Sequence, residues 1–260
     1  MNYTLIDAGS KMTKQPKHIK IPLKNHQRAM VYNCHNLEKS SFGENTLKSK
    51  IGIIGDSVGS GKTLSVLALI SNQKILKITE FPDILFSNSL FFCENPSPQH
   101  KPGFVPTNII VVPHTIINQW EESIQRFTNF SYIKIYNKKS FESFVNTLNN
   151  DDTYKTIYDL DIILVSSTKY NDMCDLNNKY WNKENYFSRV VFDEADTLKI
   201  PRSREISASF IWFVTSSFNS LINPYSFLHY INPETGETSD TYITNYHNVY
   251  SGGISHSGFI

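Results

Sequence analysis

The sequence predicts a three-layer α/β/α fold around a mainly parallel sheet. Short runs of β-branched and aromatic residues recur along it, separated by helix-length segments, which is the pattern of a parallel sheet covered on both faces. A glycine-bearing turn follows the first run, and a row of acids ends the fourth.

The first 20 residues carry Lys11, Lys14, Lys17 and Lys20 with little apolar patterning and read as an arm. A helix is expected from about Asn25, an Asn that can cap, because Ala29, Met30, Tyr32 and Leu37 recur at helical spacing. A loop over 39–50 leads to Ile51-Gly52-Ile53-Ile54-Gly55, a buried-strand candidate, and residues 63–71 read as a buried helix. Pro82, Pro96, Pro98, Pro102 and Pro106 make 81–106 an irregular surface insertion. Order resumes with a second strand at Ile109-Ile110-Val111-Val112 and a helix over 117–127. Ile162-Ile163-Leu164-Val165, Val190-Val191-Phe192 and the run 210–214 supply three more strands. Beyond Thr215 the Ser, Asn, Pro, Gly and Tyr content predicts an irregular tail, or the start of an inter-lobe linker, over 218–260. The lobe itself is therefore expected over 21–217.

Composition narrows the function. With 25 Lys and Arg against 24 Asp and Glu, the net charge is +1, so no overall field draws in a polyanion, and any such partner must be held by a local site. Three scattered cysteines, Cys34, Cys93 and Cys174, argue against a disulfide scaffold and for a reducing compartment. Cys34 with His35, and Cys93 with His100, do not make a tetrahedral metal site. The apolar runs fall short of the roughly 18 residues a membrane helix needs, and the polar N-terminus lacks a signal-peptide core. A cytoplasmic or nuclear location is expected, with no membrane partner.

Chemistry concentrates in two motifs. Gly59-Ser60-Gly61-Lys62-Thr63 lies between a strand and a helix, where glycines let backbone N–H groups curl around phosphate oxygens and the helix N-terminus adds its positive end. Lys62 would neutralise the terminal phosphates and Thr63 would ligate Mg²⁺. The strict pattern begins with Gly where this chain has Asp56, and a purely structural glycine turn is the alternative. Asp193-Glu194-Ala195-Asp196 ends an apolar strand: Asp193 can reach Mg²⁺, and Glu194 can orient or deprotonate a water. Alone, these acids also suit a solvated helix start. Together with the glycine turn they predict an NTP site with ATP and Mg²⁺ as cofactors.

Gln27 behind Leu23-Lys24-Asn25-His26, the run GDSVGSGKT at 55–63, IIVVPHTIINQW at 109–120, DEAD at 193–196 and Thr215-Ser216-Ser217 resemble the ordered motifs of the first motor lobe of superfamily 2 helicases. The Swi/Snf-type branch is the most similar, through Asp56 and the spacing of Val111, Pro113 and Trp120; helicase-like ATPases of large DNA viruses are also similar. The resemblance implies a RecA-like P-loop lobe in which Gln27 reads the adenine edge and Lys62, Asp193 and Glu194 serve catalysis. It implies nucleic-acid backbone contacts, DNA before RNA, at Pro113, His114 and Thr115 and at Ser166, Ser167 and Thr168. From the residues alone, Gln27 also suits a helix surface, the Ser/Thr cluster suits a helix cap, and Trp120 reads as core. If the viral likeness holds, the location is host cytoplasm, a viral factory or the virion.

Two features depart from that family. Thr215-Ser216-Ser217 lacks the usual central Ala, and Arg204 is the last arginine, so no arginine-bearing second lobe follows. The expectation is an ATP-binding half of a DNA-dependent ATPase, completed by a second RecA-like lobe in cis or trans. The alternative is a nucleotide-dependent binding module with little or no hydrolysis. A nucleotide kinase would want an Arg-rich lid, which is missing.

Overall fold

A computed structural model describes residues 5–40, 50–76, 83–87, 90–94, 104–150, 155–180, 186–204, 206–218, 225–231 and 238–244. The helices are α1 (Asn25–Ser40), α2 (Lys62–Asn72), α3 (Ile117–Phe127), α4 (Lys138–Asn149), α5 (Lys155–Tyr158) and α6 (Tyr170–Tyr180). The strands are β1 (Ile51–Gly55), β2 (Asp83–Ser87), β3 (Leu90–Glu94), β4 (Phe104–Val112), β5 (Tyr132–Ile135), β6 (Ile162–Ser166), β7 (Tyr186–Asp193), β8 (Ala208–Thr215), β9 (Tyr225–Ile231) and β10 (Thr238–Thr244). Six strands form one sheet in the order β1-β8-β7-β4-β6-β5, and every pairing in it is parallel.

Period-two alternation divides the apolar side chains between two cores. Ile110, Val112, Leu164, Val191 and Trp212 join Val31 of α1, Leu67 of α2 and Trp120 of α3 on one side. Ile109, Val111, Val165, Val190 and Phe213 join Phe144 of α4, Ile157 of α5 and Met173 of α6 on the other. Because both faces are covered, β6 and β7 are buried along their whole length, which is why they read as continuous apolar runs. This is the RecA-like three-layer lobe the sequence predicts.

Four expectations need correction. The insertion over 81–106 is not uniformly irregular: β2 and β3 pair antiparallel within it, and β4 already begins at Phe104. Pro106 is tolerated because the β4–β7 register shifts between Val105 and Asn108, so its missing N–H falls at a break in the ladder. Pro82, Pro96, Pro98 and Pro102 lie outside the described residues. The tail over 218–260 is likewise not all irregular, since β9 and β10 pair antiparallel through aromatic and β-branched runs with strong β propensity. The sheet has a sixth strand, β5, which its four-residue length concealed. The arm is pinned to the lobe: Ile19 bridges Thr128, the Lys20 N–H donates to Phe127 O at 2.8 Å, and the His18 N–H donates to Ser71 Oγ at 3.1 Å.

Candidate nucleotide and nucleic-acid site

Parallel strands place their C-terminal ends in one row, so every loop leaving those ends opens on the same rim. Register makes the row explicit. Gly55 of β1 pairs with Thr215 of β8, Val214 with Asp193 of β7, Phe192 with Val111 of β4, and Val112 with Ser166 of β6. The glycine turn, Thr215, the acids, the Pro113 turn and the Ser/Thr cluster, scattered over 160 residues of chain, thus line up through β-pairing alone.

Gly59 and Gly61 sit at φ 80° and 85°, left-handed backbone that glycine enters without a Cβ clash, and Gly61 caps α2. The loop leaves its N–H groups at the start of α2, where the helix dipole is positive. Lys62 Nζ donates to Asp56 O and Ser57 O, both at 2.9 Å, and so closes the loop on itself. Ser60 Oγ is buried and makes no hydrogen bond, a donor ready for an anion's oxygen. Behind the loop, His26 Nε2 meets Ser60 O at 3.0 Å. Gln27 is 4% exposed, so it is not a helix-surface residue. Its Oε1 accepts from the Lys24 N–H at 3.0 Å, half of a capping box for α1, and its Nε2 donates to Gly61 O at 3.4 Å. A Cβ on Gly61 would collide with that amide.

The acidic end of β7 is a cluster of like charges. Asp193 is buried, and burial raises its carboxyl pKa above the ordinary value, against the lowering effects of the Trp120 indole, the Glu194 N–H and the Lys62 charge. Burial also raises Glu194, and Asp193 and Asp196 repel it further, with Lys62 again opposing. Lys62 therefore acts on both acids across the rim. Glu194 adopts φ 50°, a strained value for a side chain of its size, held by Thr197 and Leu198 N–H donors to its carbonyl at 2.9 and 2.8 Å. Thr215 Oγ1 donates to Asp196 Oδ1 at 2.5 Å, linking β8 to the acids.

Along the rim, Pro113 precedes a 3₁₀ turn over His114–Ile116, with His114 and Thr115 exposed. Ser166 Oγ lies 3.4 Å from His114 Nδ1 and 3.0 Å from Thr168 Oγ1. Ser166 precedes the 3₁₀ turn Ser167–Lys169 without a side-chain cap bond, and its hydroxyl instead joins His114 and Thr168. Trp120 is core, as its spacing suggested, and it is also more: its indole N–H donates to Asp193 Oδ2 at 2.7 Å. Sequence reasoning missed that bond and the His26 and Thr215 contacts, because each joins residues remote in the chain.

Asp193 and Glu194 offer hard carboxylate oxygens of the kind Mg²⁺ takes, and Thr63 follows Lys62 with a hydroxyl; among the described residues no group of three or more His, Cys, Asp or Glu side chains is arranged to hold a metal by itself. Among the described residues no helix is long and apolar enough to cross a membrane.

The chain is 25% identical over 208 residues to the DNA repair protein RAD5 of Debaryomyces hansenii, a match covering 71% of this chain and 16% of that protein. It is 24% identical over 181 residues to a protein of Acanthamoeba polyphaga mimivirus that carries a helicase name, covering 56% and 20%. The chain thus spans a fifth or less of the length of these relatives. A nuclease-deletion mutant of the Type ISP restriction-modification enzyme LlaGI, solved in complex with a DNA substrate mimic, aligns with TM-score 0.48 and 11% identity over 83% of this chain and 19% of that one. The sequence profile of the SNF2-related domain matches residues 15–248, nearly the whole chain, with the motif residues inside the match. The chain therefore belongs to the SNF2-related domain family and is a helicase-type lobe.

Proposed function

We propose that this lobe binds Mg-ATP in the glycine loop and the backbone of nucleic acid, DNA in preference to RNA, along the Pro113–Ser166 rim. The observation that carries the reading is the alignment, through strand register, of the glycine turn after β1 with the acids ending β7, where the Lys62 charge opposes the burial that raises both carboxyls. The loop N–H groups and Ser60 Oγ would cradle phosphate, with Lys62 exchanging its two carbonyl partners for phosphate oxygens. Thr63 and Asp193 would hold Mg²⁺, which would supply charge neutralisation across the phosphates. Glu194, with its proton affinity raised, would orient and deprotonate the attacking water. Gln27, beside the loop, would meet the adenine edge. Pro113, His114 and Thr115 with Ser166, Ser167 and Thr168 offer hydroxyls and backbone groups that position a strand without reading its bases.

Hydrolysis is proposed to need a second RecA-like lobe, in cis or trans. Four of the five described arginines are engaged elsewhere: Arg28 with Thr13 O, Arg126 over the Phe127 ring, Arg189 in a buried ion pair and Arg204 with Asp175; the fifth, Arg202, is exposed. An arginine supplied across the cleft contributes on the order of 10³–10⁵ in rate in related phosphate-loop enzymes. Titration calorimetry with Mg-ATP should give binding that Lys62→Ala removes and Glu194→Gln keeps. Turnover, assayed with duplex DNA, RNA and an added second lobe, should rise by orders of magnitude with that lobe and vanish in Glu194→Gln. Unchanged nucleotide affinity in Lys62→Ala would overturn the phosphate-site reading. Fast DNA-stimulated turnover by the chain alone would overturn the need for a partner lobe.

A further inference from the structure

We infer that Trp120 is a positioning residue for the acidic end of β7, its indole N–H fixing the orientation in which Asp193 presents its carboxylate to Mg²⁺. This rests on the nucleotide reading above and deepens it. A buried indole needs one acceptor, and any of the neutral carbonyls of the sheet would serve that need. Here the acceptor is a buried carboxylate at 2.7 Å, a charge-assisted bond in the short range for N–H donors. Trp120 is 1% exposed and seated between Ile117 and Ile124, at helical spacing on the buried side of α3, so the indole has a fixed seat. The donor comes from the helix after β4, and the acceptor from β7, the strand that pairs with β4. A carboxylate held this way loses its freedom to rotate, as outer-shell hydrogen bonds do for metal ligands generally.

The test uses the full chain, methylanthraniloyl-ATP as fluorescent probe, and a Mg²⁺ titration. Trp120→Phe should bind the probe in EDTA within about twofold of wild type but need about 10–100-fold more Mg²⁺ to reach the Mg-dependent state, the usual cost of losing an outer-shell partner. Trp212→Phe is the control: it removes another buried indole that donates to a carboxylate, Glu38, and should leave the Mg²⁺ requirement alone. The second arm uses unmutated protein labelled with ¹⁵N at its three tryptophans, the Trp120 signal being assigned through Trp181→Phe and Trp212→Phe. Its indole signal should move when Mg²⁺ is added to nucleotide-loaded protein, while that of Trp212 stays. If Trp120→Phe does not fold, this arm decides. An unchanged Mg²⁺ requirement in Trp120→Phe, or a Trp120 signal that ignores Mg²⁺, overturns the inference and leaves the nucleotide reading standing. Absence of probe binding by the wild type, with or without Mg²⁺, brings down both.

Discussion

One strand, β7, carries two charged clusters that obey opposite rules. Midway along it, Arg189 and Glu38 of α1 are both fully buried and doubly bonded, at 2.7 and 2.8 Å, and Glu38 also accepts from Trp212 Nε1 at 2.8 Å. Arg189 adds bonds to Gln73 O at 2.9 Å and Asn108 Oδ1 at 3.2 Å. Four residues on, about 13 Å at strand rise, Asp193 and Glu194 lie beside Asp196 with Lys62 opposing them; burial raises both carboxyls, Asp196 adds to both, and Asp193 also raises Glu194. The first cluster satisfies its charges completely and fixes the packing of α1 on β7 and β8. The second leaves like charges crowded on a strained backbone at the rim. Perturbed carboxyls of that kind cluster at ligand sites, so charge pairing separates the structural cluster from the candidate functional one.

The largest expected effect falls on the paired cluster. Glu38→Ala strands a buried guanidinium and should destabilise the lobe by about 3–5 kcal/mol, lowering the midpoint of thermal unfolding by on the order of 10 °C. The double change Glu38→Leu with Arg189→Met should recover most of that loss, because no charge is then left unpaired. Urea unfolding of the single and double variants checks this, and a double variant as weak as the single one would mean the pair contributes through attraction rather than through satisfied burial.

A smaller effect comes from the wall of the same cluster. Gly52 of β1 pairs with Trp212, and a Cβ there would stand inside contact distance of the indole ring. Gly52→Ala should therefore lose about 1–3 kcal/mol by overpacking. Adding Trp212→Phe should make the pair of changes less than additive, measured as a double-mutant cycle. Strict additivity would show that the indole moves aside freely.

The smallest effect belongs to the rim, and its sign is opposite. Asp193 and Glu194 hold their protons more tightly when folded. That stabilisation is complete below the unfolded carboxylate values, near 4, and is lost as pH rises through the raised folded values; above them the ionised acids oppose folding. Glu194→Gln should flatten this part of the curve and raise the unfolding midpoint at neutral pH by a few degrees at most, at about 2–4 °C per kcal/mol for a chain of this length. Thermal scans from pH 4 to 8 test it. A Gln variant less stable than wild type at pH 7 would mean the acids are relieved in the free lobe, and the contrast between the two clusters would dissolve.

Much of the architecture was legible because it is local. Continuous apolar runs announced β1, β4, β6, β7 and β8, and the glycines at 59 and 61 announced a backbone only glycine enters easily. The strand β5 and helix α4 were missed, although Asn137 and Ser140 form a capping box that marks the start of α4. β5 has only four residues, whereas α4 carries Phe141, Phe144, Val145 and Leu148 at helical spacing, a stripe the sequence does show. The prolines over 81–106 misled because a proline at a register break does not end a strand, and the sequence does not show where the break lies.

By itself, then, the sequence determined the layer order, the backbone of the glycine turn and the identity of the charged groups, since periodicity, glycine conformations and residue chemistry act within a few residues of chain. Tertiary structure alone decided which charges are satisfied. Whether Glu38 faces Arg189, whether Trp120 spends its N–H on Asp193, and whether Gln27 is covered by Gly61 all depend on strand order and register. Those place residues dozens to more than a hundred positions apart within hydrogen-bond reach, and the same side chains in another register would be exposed, unpaired or buried at great cost.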